Sequence, residues 1–310
     1  MRTKTKKDVR EMKFGVCIPH YGRPIDIDAL TNMAVQAEQM GFDSVWVTDH
    51  IIVPHQIPGR QDIVYRHDML EPISLLTHLG AVTTKVNIGT SVVILPYRNP
   101  IILAKAIATA DVLSKGRVIF GAAVGWMEGE FQALNAPFAD RGRVSNEYLA
   151  LLKELWANPT PAFQGEYFQF SDVTFSPMPV QKPHPPIWVG GRSRRGVRRA
   201  VEFGDYWHPS QMGPQEVAKN AAYMRRYSAS VGRAEPPQLS CRLTLNISGT
   251  PGGDDRLPLH GTVEDIIGDI QAYGESGVSH IAMEIAGESF AEKFRVMERF
   301  INEVMPHAPV

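Results

Sequence analysis

An aspartate and a histidine, Asp49 and His50, close a short apolar segment that begins at Ser44. Histidine transfers protons near neutral pH, and a neighbouring carboxylate can orient the imidazole or a bound ring. Capping of the following turn is the ordinary alternative for such a pair. If the segment is a strand of a parallel barrel, both side chains lie at its active end. We therefore predict that Asp49 and His50 face the barrel mouth as catalytic and cofactor-binding residues.

The turn Gly190-Gly191-Arg192-Ser193 lies between an apolar segment and a helix-like one. Glycines allow a backbone to approach a ligand closely, and the first N–H groups of a helix attract anions. Arg192 adds a positive charge, and Ser193 can cap the helix or bind a phosphate. The turn predicts the phosphate end of a cofactor site, although such turns also merely begin helices. The arginines that follow extend this site or form a solvated basic face: Arg194, Arg195, Arg198 and Arg199.

Other polar or aromatic residues also end apolar segments. Trp126, after Gly125, is placed either beside a planar ligand or in the core. Thr90 and Ser91 likewise lie at the end of the third apolar segment. We predict that the substrate pocket is lined by His20, Tyr21 and His208, for which an ordinary polar position at the rim is the alternative.

Strand-like and helix-like segments alternate along the chain, and the strands are continuous apolar runs typical of a sheet covered on both faces. The predicted strands are Lys13–Pro19, Ser44–His50, Val86–Leu95, Arg117–Val124, Pro186–Gly190, Asp205–His208, Leu239–Ile247 and Ser279–Ile285. Eight strand–helix units predict an α/β fold of the (β/α)8 TIM-barrel type, ahead of an open doubly wound sheet.

Two segments are longer than the connections of a minimal barrel. Ile51–Leu70 is expected to form a lid over the site. Met127–Pro185 forms an insertion after strand 4, with a predicted hairpin that pairs residues 167–170 with residues 173–175. Both segments leave the ends of strands at which barrel active sites are built.

The predicted helix over residues 100–114 is apolar on nearly all sides, from Ile101 to Leu113. A helix of this kind must be buried on more than one face. One face packs on the barrel, and the other is covered either by loops of the chain or by a second subunit. We expect the latter, a homodimer formed through the region 100–114.

Composition narrows the possible partners. The net charge of −1 among 310 residues gives no support for nucleic-acid binding. The cysteines, Cys17 and Cys241, form no metal-binding pattern, and two reduced core thiols in a cytoplasmic protein are expected. Residues 1–12 are basic and polar, and we predict that they are disordered. The barrel domain is therefore expected to comprise residues 13–310. No apolar run is long enough to span a bilayer, and we expect no membrane contact and no metal.

The chain resembles the luciferase-like monooxygenase superfamily over roughly Lys13–Val304, and within it the group of probable coenzyme F420-dependent oxidoreductases. The motifs that carry the resemblance are "FDSVWVTDH" (42–50), "IGTSVVILPYRNPIILAK" (88–105), "DVLSKGRVIFGAAVGW" (111–126) and "PHPPIWVGGRS" (183–193). The resemblance implies a flavin-type ring in the barrel mouth and a homodimer. By the resemblance, Asp49, His50, Thr90 and Ser91 match positions near the ring, and residues 190–193 match the phosphate end of the cofactor. Gly125 and Trp126 are expected to join the cofactor-binding residues. The resemblance also implies a non-proline cis peptide behind the ring, here at Ser91–Val92, so that Val92 joins the cofactor-binding residues.

The resemblance further implies an enzyme, an oxidoreductase that transfers a hydride between coenzyme F420 and a small organic substrate. His50 matches the histidine that acts as acid or base in deazaflavin-dependent relatives. Trp126 stands where some hydride-transfer relatives carry an acid, which favours a fairly apolar substrate. The alternatives are an FMN-dependent monooxygenase, a flavoprotein that combines reduced flavin with oxygen, and a non-catalytic flavin-binding barrel.

Overall fold

A closed barrel of eight parallel strands forms the centre of the computed structural model, which describes residues 12–22, 25–55, 57, 68–251, 253 and 255–308. The barrel strands, in spatial order, are β1 (Lys13–Cys17), β3 (Ser44–Val47), β5 (Asn87–Thr90), β7 (Val118–Ala123), β10 (Ile187–Gly190), β11 (Tyr206–His208), β12 (Gln238–Ile247) and β14 (Val278–Ile285). Val16 of β1 pairs with Val45 of β3 on one side and with Met283 of β14 on the other, which closes the ring. The predicted (β/α)8 fold is confirmed.

Helices surround the barrel, and the one predicted over residues 100–114 is present. They are α1 (Ile27–Met40), α2 (Pro72–Val82), α3 (Pro100–Leu113), α4 (Glu128–Ala133), α5 (Arg141–Ala157), α6 (Arg194–Phe203), α7 (Pro214–Ser230), α8 (Val263–Glu275) and α9 (Phe290–Arg299). A π-helical turn, Phe300–Val304, continues α9. The short helix α4 was not predicted, and it supplies a residue of the site described below.

Local sequence signals explain where these helices begin and end. Asn99 accepts hydrogen bonds from the first N–H groups of α3, and Pro100 occupies the first position of that helix, where the lack of an N–H has no cost. Gly41 ends α1 with a φ of 90°, a backbone conformation that glycine adopts without strain.

Each barrel strand is buried on both faces because its side chains alternate between the helices and the barrel interior. Val45 and Val47 pack outward into the core beneath the helices, whereas Trp46 points inward and packs against Trp188 with ring centroids 4.8 Å apart. Two histidines share the interior: His280, whose Nε2 lies 2.8 Å from Ser44 Oγ, and His208. Both cysteines are buried thiols.

The third barrel strand is interrupted directly after Thr90. The peptide bond Ser91–Val92 is cis, as predicted, and the chain resumes as β6 (Val93–Ile94), which pairs with β7. Gly121 of β7 lies against this interruption. A Cβ at Gly121 would be 1.8 Å from the Thr90 carbonyl oxygen, so only glycine fits there.

The insertion after the fourth barrel strand contains α4, α5 and an antiparallel hairpin. The hairpin pairs β8 (Phe163–Gln164) with β9 (Gln169–Phe170), so the predicted pairing of residues 167–170 with 173–175 was wrong. Glu147 of α5 explains the difference, because its carboxylate accepts hydrogen bonds from the N–H groups of Glu166, Tyr167 and Phe168. The turn is thereby fixed at residues 165–168.

Several expectations concern segments that are only partly described. Residues 1–11 lie outside the described residues, and Met12, which was assigned to the disordered start, is buried. Most of the predicted lid, Ile51–Leu70, also falls outside them, at residues 56 and 58–67. A short strand, β4 (Asp68–Met69), closes that segment and pairs with β2 (Tyr21–Gly22). Within the described residues, no helix is long and apolar enough to cross a membrane.

The interior histidines predict how stability depends on pH. Burial lowers the pKa of His208 and of His280 to about 3, against an ordinary value of 6.5. Between pH 6.5 and pH 3 the unfolded chain therefore binds protons that the folded chain does not, and stability falls as the pH falls. Each histidine is expected to contribute a loss of roughly 2 kcal/mol at pH 5.

Urea unfolding between pH 7.5 and pH 5 measures this slope. The variant His208→Asn should reduce the dependence of the free energy of unfolding on pH by about the contribution of one histidine. The variant His78→Asn, at an exposed residue, should leave that dependence unchanged. A slope in His208→Asn equal to that of the unmodified protein contradicts the assignment.

Candidate functional site

The end of β3 sends consecutive side chains to opposite sides of the barrel wall. Thr48 follows the inward direction of Trp46, and its Oγ1 lies 3.2 Å from Nη1 of Arg242 at the barrel mouth. Asp49 follows the outward direction of Val47. His50 again lies on the inner side, edge-on to Trp126 with ring centroids 6.3 Å apart. The alternation of a strand thus separates two residues that the sequence placed together.

Asp49 binds the segment that follows the cis peptide. Its carboxylate accepts two hydrogen bonds from Arg98, at 2.6 and 2.9 Å, and one from the N–H of Ile94, at 2.8 Å. Burial raises the pKa of Asp49, and the Arg98 guanidinium offsets part of that rise. Arg98 also contacts Glu71, the residue that caps α2. Asp49 therefore positions the backbone around the mouth, instead of holding His50 as the sequence suggested.

His50 is oriented by Glu130, which lies in the unpredicted helix α4. His50 Nδ1 donates to Glu130 Oε2 at 2.7 Å, and the hydroxyl of Tyr97 donates to the same oxygen at 2.8 Å. The other oxygen accepts the N–H groups of Ile51, at 2.5 Å, and Ile52, at 3.2 Å. Glu130 is fully buried and holds both the imidazole and the chain that leaves β3.

The donors around Glu130 keep its carboxylate charged. Burial acts to raise the pKa of Glu130, but the hydrogen bonds from His50, Ile51 and Tyr97 outweigh it and hold the pKa below its usual range. A charged carboxylate next to Nδ1 places the ring proton on that nitrogen, which leaves Nε2 as the atom that faces away from Glu130. This is the arrangement of an imidazole that takes up and releases a proton.

A second charged pair lies at the centre of the mouth. Arg242 of β12 forms an ion pair with Glu284 of β14, and its Nη1 donates to the Ser91 carbonyl at 2.6 Å. The Tyr21 hydroxyl donates to Glu284 at 3.0 Å. Burial acts to raise the pKa of Glu284, but Arg242 outweighs it and lowers that pKa. Tyr21 therefore does lie at the mouth, next to the Glu284 carboxylate of the last barrel strand.

Two of the three predicted pocket residues lie deeper than expected. His208 is buried below the strand interruption, with Nε2 2.8 Å from Ser91 Oγ and Nδ1 2.9 Å from Ser240 Oγ. His20 is also buried, and its Nε2 accepts the N–H of Thr48 at 2.9 Å. Burial lowers the pKa of His20 to about 4. Both histidines support the mouth from below as neutral rings.

The predicted ring-binding residues converge around the strand interruption. Thr90 exchanges two hydrogen bonds with the backbone of Gly121. A Cβ at Gly190 would lie 3.1 Å from a methyl carbon of Val92, and one at Gly125 would lie 2.6 Å from a methyl carbon of Ile94. The structure therefore brings together β5, β7 and β10 at one side of the mouth, as a ring seat requires.

A cleft of about 530 Å³ opens beside this side of the mouth, and we call it the cationic cleft. It is lined by Val124, Ala139, Asp140, Arg141, Gly142, Arg143, Asn146, Gly190, Gly191, Ser193, Arg195, Gly196, Arg198, Arg199 and Glu202. Five arginines face two carboxylates there, and the N-termini of α5 and α6 both lie at its wall. Fixed positive charge and helix N-termini are the features that bind phosphate groups.

The turn after β10 has the predicted helix cap and places three of its four residues at the cationic cleft. Ser193 caps α6 by accepting the N–H of Gly196 at 3.3 Å, and Gly191 has a φ of 120°, which favours glycine. Gly190, Gly191 and Ser193 line the cationic cleft. Arg192 instead lies on the other side of the turn, 3.5 Å from Glu216 of α7.

Three residues of the site were missed from the sequence: Glu130, Arg98 and Arg242. Glu130 had a signal, because the spacing of Met127, Phe131 and Leu134 fits a short helix that would turn Glu130 inward. Arg98 and Arg242 had none, since each acts on residues distant in sequence. Among the described residues, no group of three or more histidine, cysteine or acidic side chains is arranged to hold a metal ion.

The Asp49–Arg98 pair predicts a large stability effect at one position. Asp49→Asn leaves the Arg98 guanidinium without its buried counter-charge and should reduce the free energy of unfolding by about 3 kcal/mol. Glu71→Gln removes the more exposed partner of the same guanidinium and should cost about 1 kcal/mol or less. Urea denaturation of both variants measures the difference, and equal losses contradict the role of Asp49.

Comparison with known proteins adds to this geometry. An FMNH2-dependent dimethylsulfone monooxygenase of Pseudomonas putida is 30% identical to this chain. The matched region covers 67% of this chain and 56% of that monooxygenase. A flavin-dependent trigonelline monooxygenase oxygenase component of Acinetobacter baylyi is 25% identical, with 90% and 89% of the two chains covered. The coenzyme F420-dependent tetrahydromethanopterin reductase of Methanopyrus kandleri has the same fold, with a TM-score of 0.74, 17% identity, and 96% and 99% of the two chains covered.

Residues 12–252 match the luciferase-like monooxygenase family, whose members are oxidoreductases and monooxygenases. This range holds the first seven of the eight barrel strands, β1 to β12, together with Asp49, His50, Glu130 and the whole cationic cleft. The chain belongs to the luciferase-like monooxygenase family.

Proposed function

We propose that the protein is a coenzyme F420-dependent oxidoreductase that transfers a hydride to or from a small, fairly apolar organic substrate. The observation that carries the proposal is the buried Glu130 carboxylate 2.7 Å from Nδ1 of His50 at the barrel mouth. Hydride transfer to or from a carbonyl or hydroxyl carbon requires a proton to move at the same time, and His50 supplies the group that moves it.

The residues present fit a flavin-type cofactor with an anionic end. The ring would lie at the mouth beside Val92, Gly125 and Gly190, where the two glycines let the side chains of Ile94 and Val92 pack directly against the backbone. The cationic cleft continues from Gly190 and Gly191 and carries five arginines against two carboxylates. A ring held at the mouth would thus have its phosphate in the cleft. A bound deazaflavin supplies or accepts the hydride.

The residues of the chain then have separate tasks. His50 gives a proton to, or takes one from, the substrate oxygen, and Glu130 keeps the imidazole in place and compensates its charge. Trp126, 43% exposed and edge-on to His50, gives the substrate an apolar wall. Arg242 and Glu284 neutralise each other at the centre of the mouth, so the substrate meets little net charge there.

An FMN-dependent monooxygenase is the second candidate. The dimethylsulfone and trigonelline monooxygenases, both named for reduced flavin or flavin dependence, support it by their sequence similarity. The ring seat fits either cofactor, because both are tricyclic and both carry a phosphate. The cofactor extracted from the purified protein, its visible spectrum, and titration with F420 and with FMN separate the two. Tight FMN binding with oxygen consumption, and no binding of F420, overturns the proposal.

The proton-transfer role predicts a graded series of variants. His50→Ala should lower kcat by about 100-fold to 10,000-fold while cofactor affinity stays within about threefold, since positioned acid–base groups contribute this much. Glu130→Gln keeps a hydrogen-bond acceptor for Nδ1 but loses the charge, and should lower kcat by about tenfold. The measurement is steady-state turnover, with a substrate on which the unmodified protein acts, together with cofactor titration.

Glu128→Gln is the matched control, because Glu128 lies in the same short helix but is exposed. It should retain full turnover. Unchanged turnover in His50→Ala removes His50 from the mechanism, and loss of turnover in Glu128→Gln shows that the helix α4, not the Glu130 charge, is responsible.

We also propose that the protein forms a homodimer through α3 and its neighbour α2. Ile102 and Leu113 of α3 are 70% and 61% exposed, and Ile101 and Val112 are also exposed. A groove of about 370 Å³ runs between the two helices beside Ile102. An apolar surface of this kind on a barrel helix supports association with a second copy.

The variant Ile102→Glu combined with Leu113→Glu tests this surface. Two charges in an apolar interface should dissociate the dimer, and light scattering should give half the mass of the unmodified protein. Val180→Glu, which places one charge at another exposed apolar residue, is the control and should remain dimeric. A monomeric unmodified protein, or a double variant that stays dimeric, contradicts the proposal.

A further inference from the structure

A second cationic depression lies beside the cationic cleft, between α6 and α7. It has a volume of about 250 Å³ and is lined by Arg192, Arg194, Glu216, Lys219, Asn220, Tyr223 and Arg226, which we call the α6–α7 surface. Four cations face one carboxylate there. This excess is unusual in a chain whose net charge is −1.

The turn after β10 joins the two depressions. Gly191, Ser193 and Arg195 line the cationic cleft, whereas the residues between them, Arg192 and Arg194, line the α6–α7 surface. A single stretch of backbone therefore forms the ridge between them. A flexible anionic chain anchored in the cleft needs only to cross this ridge to reach the second group of cations.

Aromatic rings hold two arginines along this ridge. The Arg194 guanidinium lies 4.9 Å from the centre of the Tyr223 ring, and that of Arg198 lies 5.2 Å from the centre of Tyr227. Arg198 Nε also donates to the Tyr223 hydroxyl at 2.6 Å. Contact with an aromatic face orients a guanidinium without neutralising it, as a carboxylate would. The charges are thus held in place and remain able to attract anions.

The two depressions have separate linings, so a phosphate bound in the cationic cleft leaves the cations of the α6–α7 surface for another anionic group. The cationic cleft alone holds five arginines and lies nearest to the ring seat. A cofactor that ends at its phosphate, as FMN does, would reach the cleft and leave the α6–α7 surface without a counter-charge. Coenzyme F420 continues beyond its phosphate into a chain of glutamates, whose carboxylates match guanidinium groups in geometry and charge.

We propose that the α6–α7 surface binds the oligoglutamate tail of the deazaflavin cofactor, as a subsite separate from the phosphate cleft. The proposal rests on the proposed function. Arg194, Lys219 and Arg226 bind tail carboxylates, and the tyrosine pair keeps Arg194 and Arg198 extended toward the tail. The subsite increases affinity for long-tailed cofactor and takes no part in the reaction at the mouth.

The test compares F420 that carries several glutamates with the same cofactor lacking all of them. The protein should bind the long-tailed form about tenfold more tightly, the size expected when two or three exposed ion pairs act together. The advantage should shrink as salt increases, because exposed charges are screened. Fluorescence titration of each form at low and high salt gives the two dissociation constants.

Variants locate the effect. Arg194→Gln combined with Arg226→Gln should remove most of the long-tail advantage while tailless F420 binds as before, which also shows that the variant is folded. Arg225→Gln, at the exposed residue next to Arg226 on α7, should keep the advantage. Loss of the advantage in Arg225→Gln, or its persistence in the double variant, overturns the assignment of the subsite.

The outcomes separate this proposal from the proposed function. Equal affinity for long-tailed and tailless F420 overturns the tail subsite and leaves the cofactor assignment standing. Binding of FMN with no binding of either form of F420 overturns the cofactor assignment, and the tail subsite with it.

Discussion

The alternation of side chains at the end of β3 is the constraint on which the site depends. Because the strand sends neighbouring residues to opposite sides, Asp49 points out of the barrel and His50 points to the mouth. Each then has a different buried partner, Arg98 for the aspartate and Glu130 for the histidine. Two adjacent residues therefore have separate roles: Asp49 holds the backbone of the next connection, and His50 is the group to which the proposed function assigns proton transfer.

The strand interruption at Ser91–Val92 is held from both sides of the barrel wall. From outside, Asp49 accepts the N–H of Ile94 at 2.8 Å. From inside, Arg242 donates to the Ser91 carbonyl at 2.6 Å, and His208 lies 2.8 Å from the Ser91 hydroxyl. A seat for a planar ligand must not shift when the ligand binds or leaves, and opposed contacts of this kind limit movement in either direction.

The sequence predicted the parts that depend on local pattern, and it did not predict those that depend on distant partners. The eight strands and most helix ends follow from periodicity and caps, and the cis peptide followed from a family resemblance. The sequence placed Asp49 at the correct strand end, but it suggested His50 as the hydrogen-bond partner. The observed partner, Arg98, lies in another connection. Glu130 was missed because α4 has only six residues, so that the spacing of Met127, Phe131 and Leu134 is a weak signal inside a long connection. The hairpin was displaced because Glu147, distant in sequence, fixes its turn.

The distribution of charge argues for a ligand that is oriented by its anionic end. Charges at the mouth are paired with each other: Asp49 with Arg98 and Glu284 with Arg242. In the cationic cleft and on the α6–α7 surface, Arg143 pairs with Asp140 and Arg192 with Glu216, but the cations outnumber the carboxylates. A balanced centre contributes little net field to the atoms at the mouth, whereas a periphery with excess positive charge attracts and aligns an anion. In the proposed function, the strength of cofactor binding and the chemistry at His50 therefore depend on different residues.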